Sequence, residues 1–201
     1  MVEIFKYDSY GHYVKAQTEA NKIKIEKVYA HKDNFHDFVK HKKDAKNVLC
    51  HGSRNGAELK FFRDSYKKIG NTEVFVQGTD ISDTATQFEN TVQWDMMKPN
   101  PEWTGKWDVV YTNSFDHSFD PVSTLKVWSD QLTKDGVIIL EFSFHSKHQS
   151  TARAWDPIGK MTREDMEQVI ADAGLVIRQK ETTQYGTALK RGETYYIGNP
   201  S

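Results

Sequence analysis

Cysteine is nearly missing from this sequence. Cys50 stands alone, so no disulfide can form within the chain. The first residues, Met1 to Tyr13, lack the basic start and apolar run of a secretory signal, and with a single thiol this predicts a reducing, cytoplasmic setting. No apolar run approaches the roughly 20 residues that a membrane-spanning helix needs, so no membrane partner is expected. A dominant charge is lacking too: 27 Lys and Arg stand against 28 Asp and Glu. That balance leaves no global field to draw the chain toward nucleic acid or an anionic surface. Internal repeats and low-complexity stretches are also missing. What is present suffices for folding, with 37% hydrophobic and 12% aromatic residues, the latter large enough to fill a core. At 201 residues the chain predicts one domain, 1–201, with an N-terminal helical segment over 1–45 ahead of a core over 46–201.

Residues 10 to 42 are rich in Lys, His, Glu and Ala, with Val14, Ile23, Ile25 and Val28 among them, and predict one or two helices laid across a core. From Asn47 the texture becomes short apolar runs alternating with amphipathic stretches, the pattern of strands joined by helices. Asn47 to His51 is a strand, Gly52 to Gly56 a turn, and Leu59, Phe62 and Tyr66 the stripe of a helix. Strands over 73–79 and 91–94 end on Asp80 and Asp95, and a fourth over 107–113 leads into Ser114-Phe115-Asp116-His117. Asp120 caps a helix whose stripe is Leu125, Trp128 and Leu132, and Asp135-Gly136 closes it. Val137 to Phe142, the most apolar strand, belongs near the sheet centre. Thr162 and Asp165 form a capping box before a helix with Met166, Val169, Ile170 and Ala173, closed by Gly174. Strands over 175–183 and 193–198 finish the chain. The fold class predicted is α/β, a three-layer Rossmann-like sandwich: a mostly parallel seven-stranded sheet, its last strand antiparallel, with helices on both faces.

In such a sheet ligands bind beyond the carboxyl ends of the strands, where the chemistry-bearing residues gather. Gly52 and Gly56 let a ligand approach the backbone, and the helix opening at Gly56 offers N–H groups to an anion. Asp80 can accept from both hydroxyls of a ribose, and Asp95 from the exocyclic amine of a purine. His51, Ile81, Trp94, Met96, Asn113 and Ser114 sit at the same strand ends. Phosphate is poorly served, since the turn lacks Gly-Lys-Ser/Thr and two acids lie nearby. Each of these residues alone reads as a turn glycine or a solvated strand end; their order is what points to a site.

That order resembles the class I S-adenosylmethionine-dependent methyltransferases. Residues 48 to 58 look like their glycine-rich first motif, 78 to 82 like the ribose-binding motif, and 93 to 95 like the adenine-contacting one. Residues 107 to 113 and 132 to 141 resemble the fourth motif and the turn into the fifth strand. The match covers 46 to 144, with two departures: Cys50 stands where the family has an acid, and Arg54 where its turn has a middle glycine. The resemblance implies S-adenosylmethionine as cofactor, S-adenosylhomocysteine as product and an enzyme that moves a methyl group. Arg54 would meet the carboxylate of the methionine moiety.

Methyl transfer from a sulfonium needs alignment more than covalent help. Where a proton must leave the acceptor, His117 is the first candidate base and Asp116 the second. Trp94, Tyr111 and Phe115 are candidates to stack on adenine. Tyr10, His12, Tyr13, Arg153 and Trp155 fall where this fold receives an acceptor. His145 and His148 have a ligand-like spacing but no completing partners, so no metal is expected. A small-molecule acceptor is favoured because no appended domain is present, with a macromolecule left open; nothing specifies the acceptor or an oligomeric state. The alternatives are an NAD(P)-dependent oxidoreductase, disfavoured because Gly-x-x-x-Gly is not Gly-x-Gly-x-x-Gly; an aminopropyl transferase; a non-catalytic S-adenosylmethionine-binding module; and a nucleic-acid-binding module using the Lys and His of 15 to 43. In that last segment Glu19 and Glu26 offset the lysines, as on a solvated helix face.

Overall fold

A computed structural model of the chain describes residues 2–144, 151–185 and 190–200. Seven strands form one sheet: β1 (Asn47–His51), β2 (Phe75–Asp80), β3 (Thr91–Gln93), β4 (Trp107–Thr112), β5 (Leu132–Phe142), β6 (Val176–Tyr185) and β7 (Lys190–Gly198). Their order is β3-β2-β1-β4-β5-β7-β6. Strands β1 to β5 pair in parallel, and β7 runs antiparallel to both β5 and β6. The order reverses between β1 and β4, which opens a crevice at their carboxyl ends. The predicted sandwich, with its antiparallel last strand, is the one observed.

The period of 2 along each strand sorts side chains to two cores. Val48 and Cys50 of β1, Val109 and Tyr111 of β4, and Val137 and Ile139 of β5 face Phe35 and Phe38 of α2 (Asn34–Phe38) and Leu59, Phe62 and Tyr66 of α3 (Ala57–Lys68). Leu49, Val110, Ile138 and Leu140 face Leu125 and Trp128 of α4 (Pro121–Gln131) and Met166, Val169 and Ile170 of α5 (Arg163–Asp172). Cys50 is wholly buried, and burial pushes its thiol well above the ordinary value; it is a core residue. The same core holds a buried acid, Glu141, which accepts from Asn34 Nδ2 at 2.8 Å and from the Tyr111 hydroxyl.

Caps read from sequence form as expected. Asp120 Oδ1 accepts from Ser123 N at 3.1 Å, and Thr162 with Asp165 makes the reciprocal capping box. Two boundaries differ. Helix α4 stops at Gln131, and Leu132 already pairs with Trp107 as the start of β5. Asp135-Gly136 therefore lies inside a strand rather than closing a helix. Apolar spacing cannot separate the two, since Leu132 joins the same core either way. Gly136 is there because a Cβ would sit 2.9 Å from Trp107 O.

The N-terminal segment also differs. Helix α1 (Tyr10–Ile23) buries Tyr13, Ala16, Gln17, Ala20 and Asn21, while Ile23 is 69% exposed. Its inward stripe keeps helical spacing but is polar and small, because it roofs the crevice instead of joining a core. A bridge from Ile4 to Ile158 ties the segment to the chain after β5. No helix among the described residues is long and apolar enough to cross a membrane.

Candidate functional site

The crevice has two connected lobes. One encloses about 530 Å³, partly open to solvent, between α1 (Tyr13, Gln17, Asn21) with Lys24 just past its end and the ends of β1 to β4. The wider one, about 1130 Å³ and likewise part open, runs from Tyr29, Arg54 and Glu58 to Arg153, Trp155 and Asp156. Gly52, Arg54, Ser114, His117 and Lys24 line both.

The turn after β1 is shaped by three left-handed residues: Gly52 at φ 67°, Arg54 at φ 46° and Gly56 at φ 73°. A Cβ on Gly52 would lie 2.7 Å from Ser114 Cβ, so only glycine brings β1 this close to the end of β4. Arg54 adopts the conformation that glycine would take without cost, at a penalty of about 1–2 kcal/mol. Its guanidinium lies 5.1 Å from the centre of the Tyr29 ring and donates from Nη1 to Lys27 O at 3.0 Å. Its Nε is buried with no partner among the described residues.

Asp80 is 7% exposed; its Oδ2 accepts from Arg54 N at 3.1 Å and its Oδ1 from Ser82 N at 3.0 Å. Each oxygen keeps a lone pair for a hydroxyl in the crevice. Burial raises its carboxyl, against the two backbone donors. Asp95, 6% exposed, accepts from Met97 N and from the Tyr10 hydroxyl, both at 2.8 Å. Burial raises it too, and it helps hold the Tyr10 hydroxyl up at about 12 behind the effect of burial. Ile81, Trp94 and Met96 form apolar wall beside these acids, and Ser114 and Asn113 close the β4 side.

Among the predicted contacts Gly56 lines neither lobe, its Cα facing Thr91 and Phe88, and neither does His51. Its side chain turns to the α4 side, stacked on Trp128 with ring centres 5.2 Å apart, its nitrogens 2.9 Å from Thr79 Oγ1 and from Gln131 Oε1. Burial pulls it down to about 4, so it is a neutral core group. The period of 2 explains this: Leu49 and His51 share a face. Tyr111 and Phe115 are likewise fully buried, which leaves Trp94 as the predicted ring that reaches the crevice. His12 pairs with Asp8 at 3.3 Å on the outside of α1. His145 and His148 lie outside the described residues.

His117 sits at the junction of the lobes. Its Nδ1 is 2.8 Å from Gln17 Oε1, while Gln17 Nε2 donates to Ala154 O at 3.0 Å. The amide is thus oriented with its oxygen toward the ring, so Nδ1 must carry the proton and Nε2 is left as the acceptor. That Nε2 is 4.0 Å from Asp116 Oδ1. Loss of water raises Asp116. Burial pushes Asp156 upward, but the charges of His117, Lys24 and Arg153 and a 2.7 Å bond from Arg153 Nε outweigh it. One ligand atom from each of Asp116, His117 and Asp156 lies within 4.8 Å of the others, a spacing that could take a metal ion. Sequence reading missed Gln17, Asn21, Lys24, Glu58 and Asp156. The signal for the first three was an i, i+4, i+7 spacing of polar residues, which resembles a solvated face until the helix is placed.

No protein-family model matches the chain, and no curated protein matches it in sequence. Solved structures do match. The Burkholderia thailandensis 1,6-didemethyltoxoflavin-N1-methyltransferase, crystallised with its named compound and S-adenosylhomocysteine, covers all of this chain over 95% of its own, at 11% identity and a TM-score of 0.68. A putative methyltransferase of Haloferax volcanii, solved with a methyltransferase activator, covers 94% of this chain and 98% of its own at 13% identity and 0.64. The cyclase SpnF covers 84% and 80% at 12% identity and 0.61. Identities this low establish a shared fold, and SpnF is a reminder that one fold carries more than one reaction.

Proposed function

We propose that this chain is a class I S-adenosylmethionine-dependent methyltransferase acting on a small-molecule acceptor and releasing S-adenosylhomocysteine. The observation that carries the reading is the convergence of the left-handed turn after β1, Asp80 after β2 and Asp95 after β3 in one crevice. The residues fit an adenosyl ligand: Gly52 and Ser114 line the crevice in close approach, two buried carboxylates keep free lone pairs, and the Arg54 guanidinium lines the same crevice. Asp80 would hold the ribose hydroxyls and Asp95 the adenine amine, between Ile81, Trp94 and Met96. Gly52 and Arg54 would receive the carboxylate end, with Asn113 and Ser114 on the β4 side.

When bound, the cofactor supplies an electrophilic methyl group whose leaving thioether needs no protonation. The chain supplies alignment and dryness: α1 roofs the crevice, and Tyr13 Oη donates to His117 O at 3.2 Å, pinning the β4 loop under that roof. His117 Nε2, fixed as the acceptor nitrogen by Gln17, takes the proton of an acceptor hydroxyl or ammonium, with Asp116 beside it to stabilise the imidazolium. The acceptor enters the wider lobe beside Arg153 and Trp155. The roof favours a small acceptor over a macromolecule.

Calorimetric titration with S-adenosylmethionine and S-adenosylhomocysteine tests this, with NAD and NADP as controls and Asp80→Asn alongside. Micromolar adenosyl binding, weakened at least tenfold by Asp80→Asn, is expected. Tighter binding of a nicotinamide nucleotide, or no adenosyl binding, would refute it.

A further inference from the structure

Helix α1 ends at Ile23, and Lys24 closes it: its backbone N–H reaches Ala20 O and Asn21 O, and Lys27 N bonds back to Lys24 O at 2.8 Å. The backbone is thereby held on both sides of one half-buried side chain. A lysine at this place ordinarily lies along the free carbonyls of the helix end. Lys24 instead carries its Nζ to the indole of Trp155, 5.6 Å from the ring centre, and lines both lobes beside His117. Of the two cations that line both lobes, Arg54 is engaged by Lys27 O and the Tyr29 ring, whereas Lys24 Nζ has neither a hydrogen bond nor an ion pair among the described residues. Of the nearby acids, Asp156 is paired with Arg153 through Nε at 2.7 Å and Nη2 at 2.5 Å, and Asp116 lies 4.0 Å from His117 Nε2. Lys24 acts on both from a distance, favouring their charged forms. The three N–H donors of its ammonium are thus unused where the lobes meet.

We infer that Lys24 selects the acceptor: the wider lobe takes an aromatic carboxylate, its anionic group on Lys24 Nζ and its ring packed on Trp155. This rests on the cofactor placement proposed above, which gives the methionine carboxylate to Arg54 and leaves Lys24 without a ligand, and it narrows the acceptor from any small molecule to a planar, anionic one. The half-buried Trp155 indole and the Tyr29 ring, 38% exposed, give the lobe apolar walls among its charges, a combination that a flat anion matches. An ammonium in the same place would meet Lys24 as a like charge, and the repulsion grows as water is excluded. An amine-bearing acceptor is therefore disfavoured even though His117 could take its proton. A carboxylate held on Lys24 leaves His117 Nε2 to act on a second group of the same acceptor, a ring hydroxyl, which can also donate to Asp116 beside it.

The test uses aromatic probes of one shape and different charge, benzoate, benzyl alcohol and benzylammonium. They are titrated by ligand-observed NMR onto the whole chain saturated with S-adenosylhomocysteine, in wild type, Lys24→Met and Lys24→Arg, once melting temperatures show that all three are folded. Wild type should bind benzoate about 5- to 10-fold tighter than benzyl alcohol, between the worth of an exposed ion pair and that of a buried charged hydrogen bond, with benzylammonium weakest. Lys24→Met should erase this order, Lys24→Arg should keep it, and affinity for S-adenosylhomocysteine should stay unchanged in both. Benzylammonium binding as tightly as benzoate, a preference for benzoate that survives Lys24→Met, or no binding of any probe beside bound S-adenosylhomocysteine would overturn the proposal. Equal weakening of S-adenosylhomocysteine and benzoate in Lys24→Met would overturn it too, by assigning Lys24 to the cofactor. If wild type does not bind S-adenosylhomocysteine, the adenosyl reading fails by itself, and the same comparison of probes on the free protein decides whether Lys24 selects an anion.

Discussion

Replacing Glu141 by Gln is expected to favour the folded protein more at alkaline pH than in acid. Glu141 is 1% exposed, and burial lifts it from 4.5 to about 7 despite its bonds from Tyr111 and Asn34. As pH rises above 4.5 the unfolded chain gives up this proton first while the folded chain holds it. Stability is therefore lost between about pH 4.5 and 7 and stays lost above. A shift of about 2.5 units at 1.36 kcal/mol each sets an upper bound of about 3 kcal/mol. Glutamine mimics the protonated acid: its carbonyl oxygen can accept from Asn34 Nδ2 and its amide can donate to the Tyr111 hydroxyl, which only turns its own hydrogen. Any mismatch in that exchange is a constant offset. The quantity to follow is the difference in unfolding free energy, variant minus wild type, from urea titrations at pH 5, 6, 7 and 8. It should climb by about 2–3 kcal/mol toward pH 8. A flat difference would mean that Glu141 ionises normally and that the dry polar network under α2 is wrongly described.

Gly52→Ala should cost about 2 kcal/mol or more in urea unfolding, because φ 67° is strained for alanine and its methyl meets Ser114; a neutral result would remove the argument that β1 and β4 must approach here. In ¹⁵N-histidine spectra His117 should carry its proton on Nδ1 in wild type and populate both tautomers in Gln17→Leu, since Gln17 Oε1 is its partner at 2.8 Å. An Nε2–H tautomer in wild type would disqualify His117 as the base in this geometry. Methyl transfer is expected to withstand EDTA, because Asp156 is already committed to Arg153; loss of activity restored by a divalent cation would instead assign Asp116, His117 and Asp156 to a metal centre.

The sheet was legible because its signals are local. Each strand end, turn glycine and cap depends on residues within one turn of the chain, and the order of β1, β2 and β3 brings Gly52, Asp80 and Asp95 into one crevice without any long-range information. Arg54 shows the reach of that logic: it occupies the middle-glycine place in the motif and adopts the left-handed backbone a glycine would take. What escaped the sequence was every residue whose role depends on which side of an element it faces. His51 immediately precedes the turn in sequence but shares a sheet face with Leu49, so it belongs to the core. Tyr13, Gln17 and Asn21 share a face of α1, yet polarity on that face has two physical outcomes, solvent or a polar cavity, and only tertiary placement separates them. Glu58 illustrates the same degeneracy at one residue. An acid in the first turn of a helix is ordinarily a favourable charge near the positive end of the dipole, and nothing in its neighbours along the chain distinguishes that exposed role from a buried carboxyl that loss of water pushes up to about 7. The roof is the part of the site where specificity would reside, so what the sequence leaves undecided here is the acceptor and not the scaffold that would present the methyl group to it.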